Sequence, residues 1–219
     1  MTRFTSLILA AGRGTRIGGP KALLLVGSGP DAAPLAEVQS RDHLAVGAST
    51  VAVVLRAREA DMLAPRLQSR GVRIVVSEAP EEHGPAGSIA AAVRALDLAP
   101  PAVWLITPVD LRVAPQTLHA VATFNDPSAP RTVAVVPSFQ GRKGHPVAIL
   151  SSALTRYVEP NPPPLRDHLR SLADGVHILH VPDPNITENL NRSSQTQTLA
   201  RITESALPPR FFADSAAPH

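Results

Sequence analysis

Residues 7–24, LILAAGRGTRIGGPKALL, decide how the rest of the chain is read. Leu7, Ile8 and Leu9 read as the end of a buried strand, and Ala10, Ala11, Gly12 and Gly14 leave its exit almost bare of side chains. A backbone stripped in this way can approach a phosphate closely and turn its amides toward the anion, and Arg13, Arg16 and Lys21 add three cations within one loop. The stretch is not GxxxxGK followed by Ser or Thr, because Lys21 lies between Pro20 and Ala22. Nor is it GxGxxG, since Thr15, Arg16 and Ile17 follow Gly14. Taken alone it allows two readings, a polyphosphate site or a tight surface turn with solvated arginines.

Composition narrows the setting. A chain of 219 residues fits one α/β domain with a sizeable core. We expect a single domain over 1–205 and a loose proline-containing tail over 206–219. Aromatics make up only 3%, too few for a base-stacking surface, and the net charge of +3 includes no basic block. A small anionic ligand fits this balance better than nucleic acid. The absence of cysteine removes disulfides, thiolate metal sites and cysteine nucleophiles together. No signal-peptide pattern opens the chain, and no apolar run reaches the ~20 residues that span a bilayer. A cytoplasmic location without a membrane partner is therefore expected.

Downstream, aliphatic runs alternate with helical patterns. Strands are expected at 4–9, 50–56 and 72–77, and helices from Pro34 through residue 48 and over 58–69, the latter ending at Gly71. The first of these helices shows no clean stripe in Leu35, Val38, Asp42 and Val46. Between them GSGPDAAP reads as a turn-rich insert that forbids a helix. Strand, helix and strand in repetition point to a mostly parallel sheet with right-handed crossovers. In EAPEEHGPAGSIAAAVRAL, Gly84 and Gly87 are expected to precede a helix beginning at Ser88 and Ile89, whose first amides would face an anion or a base edge, or would simply be capped. In AVWLITPVDLRV, Asp110 leaves the end of a buried strand, where open α/β sheets bind ligands. Its alternative is to cap the helix expected near Pro115. Further strands are expected at 131–139, 146–150 and over GVHILHVPDP, with Ser151 as a helix-cap candidate and a short helix in NPPPLRDHLRSL. A dinucleotide-binding reading fails, because TVAVVLRAR ends in arginines where an acid would be needed.

Five motifs in order, namely LAAGRGTRIGGPK, HGPAGS, PVDLR, GRKGHPV and ITENLN, resemble the MobA-like NTP transferases, which include molybdopterin cytidylyltransferase and molybdopterin-guanine dinucleotide synthase. The resemblance covers about residues 3–200. It implies a three-layer Rossmann-like nucleotidyltransferase fold and transfer of an NMP from an NTP to a phosphorylated acceptor, with pyrophosphate leaving. It gives Arg13, Lys21 and Asp110 catalytic roles, and Leu9, Ala10, Ala11, Gly12 and Gly14 contact with the nucleotide. Gly84, Gly87 and Ser88 would border the base. Gly144, His145 and Arg166 would serve the acceptor, and Asp110 with Asn191 would hold Mg²⁺. LAAG points to CTP and GPAG to GTP, and CTP is favoured. Molybdopterin is the expected acceptor, with handover to a molybdoenzyme or its chaperone to follow; other phosphorylated small molecules remain open. So does a non-catalytic nucleotide- or pterin-binding relative. Three departures from the family stand out: Leu111 and Arg112 replace the residues usual after the metal aspartate, the closing motif has amides at Asn189 and Asn191 followed by Arg192, and the helix near Arg166 lacks the family glycine.

Overall fold

In FTSLIL successive side chains point to opposite faces of a strand, so Phe4 and Ile8 meet one helical layer and Leu7 and Leu9 the other. In the computed structural model, which describes residues 3–15, 18–96 and 103–188, this strand is β1 (Phe4–Leu9). The chain then makes a two-residue pairing of β2 (Leu25–Val26) with β3 (Ala33–Pro34) and enters α1 (Leu35–Ala45). There follow β4 (Thr50–Leu55), α2 (Ala57–Gln68), β5 (Arg73–Val76), α3 (Gly84–Ala95) and β6 (Val103–Pro108). The last part comprises α4 (Pro115–Ala122), β7 (Ala134–Phe139), β8 (Arg142–Lys143), β9 (Val147–Leu150), α5 (Leu165–Ser171) and β10 (Val176–His180).

The main sheet has the order β10-β7-β9-β6-β1-β4-β5, with β8 hairpinned onto β7. Its pairs are parallel except for the β7–β8 hairpin and those of β9, which runs antiparallel between β6 and β7. Helices cover both faces, so the architecture is the three-layer Rossmann-like one expected. Ile8, Val51, Val53 and Leu55 pack beneath α1 and α2, and Phe4, Leu105 and Val135 beneath α4. On the opposite face Leu7, Ala52, Val54, Trp104 and Ile106 meet α3, the 3-10 segment Ser151–Val158 and, at its edge, α5.

Crossovers from β1 through α1 to β4 and through α2 to β5 build outward on one side. The next crossover, through α3, returns past them to place β6 on the other side of β1. The strand order therefore reverses between β1 and β6, and such a switch point opens a crevice at the carboxyl ends of the two strands.

Several local expectations need correction. Helix α3 starts at Gly84, four residues before Ser88, so Gly87 lies within its first turns. Pro85 in the first turn suits a start there, and Gly87 is a glycine for packing, since its Cβ would come within 2.6 Å of the Ala79 Cβ and 3.0 Å of the His83 Cβ. The GSGPDAAP insert does hold a short 3-10 turn, Gly29–Asp31, which a proline at its second position tolerates. Ser151 caps nothing through its side chain and is instead the buried first residue of the 3-10 segment. The helix expected through residue 48 ends at Ala45, with Gly47 following at φ +92°. Arg16, Asn189, Asn191, Arg192 and the tail over 206–219 lie outside the described residues.

Candidate active site

The loop that leaves β1 is tethered at its start and folded back on itself. Ala10 N–H donates to the Val54 carbonyl at 2.9 Å, and the Arg56 guanidinium, at the end of β4, donates to the Ala11 carbonyl at 3.1 Å. Further along, Gly19 N–H reaches the Gly14 carbonyl at 3.0 Å. Gly14 sits at φ +61°, and a Cβ there would fall 1.9 Å from the Gly19 carbonyl oxygen, so the closed loop admits only glycine at that position. Gly12 has open space where its Cβ would be, and Arg13 beside it is exposed. The two glycines thus do different work: Gly14 closes the loop and Gly12 leaves its outer surface accessible.

Asp110 comes from the neighbouring strand. Leu9 and Pro108 are register partners at the ends of β1 and β6, and Val109 N–H donates to the Leu9 carbonyl at 3.0 Å. The aspartate therefore stands at the switch point, directly beside the exit of the loop. Lys21, at the start of a 3-10 turn, sets its Nζ 2.5 Å from Asp110 Oδ2, with side-chain exposures of 17% and 13%. A partly desolvated ion pair between the loop lysine and the strand-end acid joins the two motifs. The capping alternative for Asp110 does not occur. Asp183 instead braces the approach to α4, accepting from Ala114 N–H at 2.9 Å, and caps the 3-10 segment Pro184–Thr187 by accepting from Asn185 N–H at 3.0 Å.

GRKGHPV reaches the same edge because β9 runs antiparallel to β6. Ile106 pairs with Val147, and continuing that register sets His145 opposite Pro108. Burial pulls the His145 pKa down, while the Ile106 backbone and the Asp110 carboxylate oppose that shift. Gly144 has a packing role: its Cα lies against Ile186, whose carbonyl oxygen would be 2.2 Å from an added Cβ. His145 N–H donates to that carbonyl at 2.9 Å. Together they dock the 3-10 segment Pro184–Thr187, which leads toward Asn189 and Asn191.

The remaining candidates divide. Gly84, Gly87 and Ser88 open α3, which begins at the carboxyl edge of β5, the same edge as the loop; Gly87 and Ser88 are buried. Arg166 is 79% exposed on α5 and lies 3.9 Å from Asp167; no contact joins it to Asp110. Arg112 lines a separate cleft of about 540 Å³ with Asp42, Asn185 and Glu188. Burial raises the Asp42 pKa there, against the lowering effects of Arg112 and Arg41. Arg56 was not singled out as a site residue by the sequence reading; its signal was an arginine closing an otherwise apolar strand.

A divalent cation fits this edge in one way. Among the described residues no cluster of three or more His, Cys, Asp or Glu side chains could enclose a metal. The single hard carboxylate of Asp110 could give a divalent cation one protein oxygen, leaving most of its shell to other oxygen ligands such as water.

A Rossmann-like sheet that brings a bare, cationic loop and an acid to adjoining strand ends is the scaffold of a nucleotidyltransferase. The chain belongs to the MobA-like NTP transferase domain family, whose pattern it matches across residues 6–178. No curated protein matches the sequence. Among solved structures it is similar to Rv0371c from Mycobacterium tuberculosis, at TM-score 0.70 and 22% identity over 90% of this chain and 96% of that one. Rv0371c has also been solved in complex with manganese, and that structure aligns at TM-score 0.62 and 22% identity over 82% of this chain and 88% of the other. A nucleotidyl transferase from Methanothermobacter thermautotroptrophicus aligns at TM-score 0.66 and 20% identity, covering 90% of this chain and 95% of its own. Molybdopterin-guanine dinucleotide biosynthesis protein A from Archaeoglobus fulgidus aligns at 0.59 and 16%, over 89% and 95%. No helix among the described residues is long and apolar enough to cross a membrane.

Proposed function

We propose that this chain transfers a nucleoside monophosphate from an NTP, CTP favoured and GTP next, to a phosphorylated small molecule such as molybdopterin. The observation that supports this reading most is the Lys21–Asp110 pair, which joins the phosphate loop to the strand-end acid at the switch point. An acceptor phosphate oxygen attacks the α-phosphorus, a new P–O bond forms, and the bond to the β-phosphate breaks with its electron pair leaving on pyrophosphate. The attacking phosphate is already an anion and needs no general base. The demand on the protein is charge neutralisation and alignment.

In this reading the amides of Leu9 to Gly14 border the triphosphate, and Arg13 offers a planar fork to its oxygens. Lys21 exchanges its carboxylate partner for a phosphate when nucleotide enters. Asp110, with Asn191 as second ligand, would hold Mg²⁺; when bound, the ion supplies charge neutralisation on the phosphate oxygens. The first turns of α3, with Gly84, Gly87 and Ser88, lie toward the base. His145 and Gly144 border the acceptor side, where Arg166 adds a guanidinium for the acceptor phosphate. With molybdopterin as acceptor, the product would pass to a molybdoenzyme or its chaperone.

The test is a thermal-shift series with CTP, GTP, UTP and ATP, each with and without Mg²⁺, followed by pyrophosphate release with molybdopterin. We expect CTP to raise the melting temperature most, more with Mg²⁺ than without, and pyrophosphate to appear only with acceptor. A nucleotide-dependent shift without pyrophosphate release would favour the non-catalytic binder. No shift with any NTP would refute the nucleotide site.

A further inference from the structure

Asp110 stands between two residues that are pinned from every side. The Val109 and Leu111 side chains are buried in the apolar layers under α1 and α4, and Val109 N–H is tied to β1. Their carbonyls are held by one side chain from α1. Gln39 Nε2 donates to the Val109 carbonyl at 2.9 Å and also to the Leu111 carbonyl, across 70 and 72 residues of sequence. Gln39 is only 4% exposed, so these bonds are shielded from bulk water.

The chemistry admits few substitutes. A carboxamide nitrogen carries two hydrogens, enough for the two acceptors that flank Asp110. Because both partners are carbonyls, the nitrogen end must face them. Glutamate would set carboxylate oxygens against the carbonyls, and an apolar residue would leave both buried acceptors unpaired. We infer that Gln39 is a positioning residue for Asp110: its bidentate amide fixes the turn 109–111 so that the carboxylate is presented at the crevice beside Lys21. The inference rests on the proposed role of Asp110 at the nucleotide site.

Amide hydrogen exchange on the unliganded protein tests the clamp without reference to activity. In Gln39→Met, of similar length but without a donor, the segment 109–113 is expected to exchange at least about tenfold faster, while β4 stays protected. In steady state kcat should fall about 10- to 100-fold with the KM for NTP within about threefold, because alignment is lost while the phosphate loop is intact. Gln39→Glu should do the same more strongly. Glu37→Gln, on the same helix but bound to α2, is the control: it should lower stability and leave both kcat and exchange at 109–113 unchanged. Unaltered exchange at 109–113 in Gln39→Met, or an equal fall in kcat for Glu37→Gln, would overturn the positioning role. If Asp110→Asn retained full turnover, the proposed function of Asp110 would fail instead, and the exchange result would still judge the clamp.

Discussion

Helices α1 and α2 lie side by side on one face of the sheet and meet that sheet by different means. Helix α2 seats Ala60, Met62, Leu63 and Leu67 on the strands through apolar contact, and its directional bond runs sideways, from Arg66 to Glu37 of α1. Helix α1 buries Glu37, Gln39, Ser40 and His43 alongside its aliphatic residues. Each of the four has a partner: Arg66 and Arg70 for Glu37, the 109 and 111 carbonyls for Gln39, the Ala36 carbonyl for Ser40 and the Ser6 hydroxyl for His43. Apolar contact tolerates small shifts in the position of a helix, whereas buried hydrogen bonds fix it, since a displaced partner leaves an unsatisfied group. The helix that touches the Asp110 turn is the one fixed in this way. Helix α2, farther from the switch point, rests on the strands through apolar contact and is tied by Arg66 to α1.

That contrast can be broken at four places. Leu63→Ala in α2 should cost the most stability, about 3 kcal/mol from lost burial and a cavity, with turnover unchanged well below melting; chemical denaturation alongside activity would show it. In α1, burial pushes the His43 pKa down to about 4 from an ordinary 6.5. Below pH 6.5 the unfolded chain takes a proton that the folded chain refuses until about pH 4. Stability should therefore fall as pH drops through that window, by at most about 3 kcal/mol, and His43→Gln should flatten this part of the profile. Denaturation midpoints between pH 8 and 4 would check both sign and window.

Glu37→Ala strands Arg66 and Arg70, which are partly exposed and can turn to water, so its cost should be about 1–2 kcal/mol. Its double-mutant cycle with Arg70→Ala should show coupling, whereas the cycle with Leu63→Ala should show little. Ser40→Ala should have the smallest effect, within about 0.5 kcal/mol, because its hydroxyl returns to the carbonyl four residues back and alanine favours the helix. A loss above about 2 kcal/mol there would mean that the α1 interior is more tightly coupled than its individual bonds indicate.

The same contrast explains what could be read from the sequence. Strand β1 was expected over the residues it occupies, and β4, β5 and α2 to within about two residues, because an aliphatic run or an apolar period records burial alone. Helix α1 lacks a clean stripe because four of its seven buried residues are polar, and the partners of those side chains lie as far as 72 residues away. The glycines divide similarly. Gly14 reads as part of a bare strand exit, either a polyphosphate site or a tight turn, and its closing contact with Gly19 depends on a fold-back that composition does not specify. Gly87 reads as lying before a helix because glycine usually breaks one, whereas here it sits inside α3 where Ala79 and His83 leave no room for a side chain. Asp110 was legible as an acid at a strand end; that the opposing cation is Lys21 depends on the order β6-β1-β4.

The central claim is that Asp110 and the loop of residues 9–21 form one site for nucleotidyl transfer. Its most direct test is pyrophosphate release by Asp110→Asn compared with wild type, under conditions in which the wild type turns over, with melting temperatures measured on the same samples. The account predicts a fall in turnover of at least about 100-fold and a melting temperature within about 3 °C of wild type. Turnover near wild type in Asp110→Asn would contradict it.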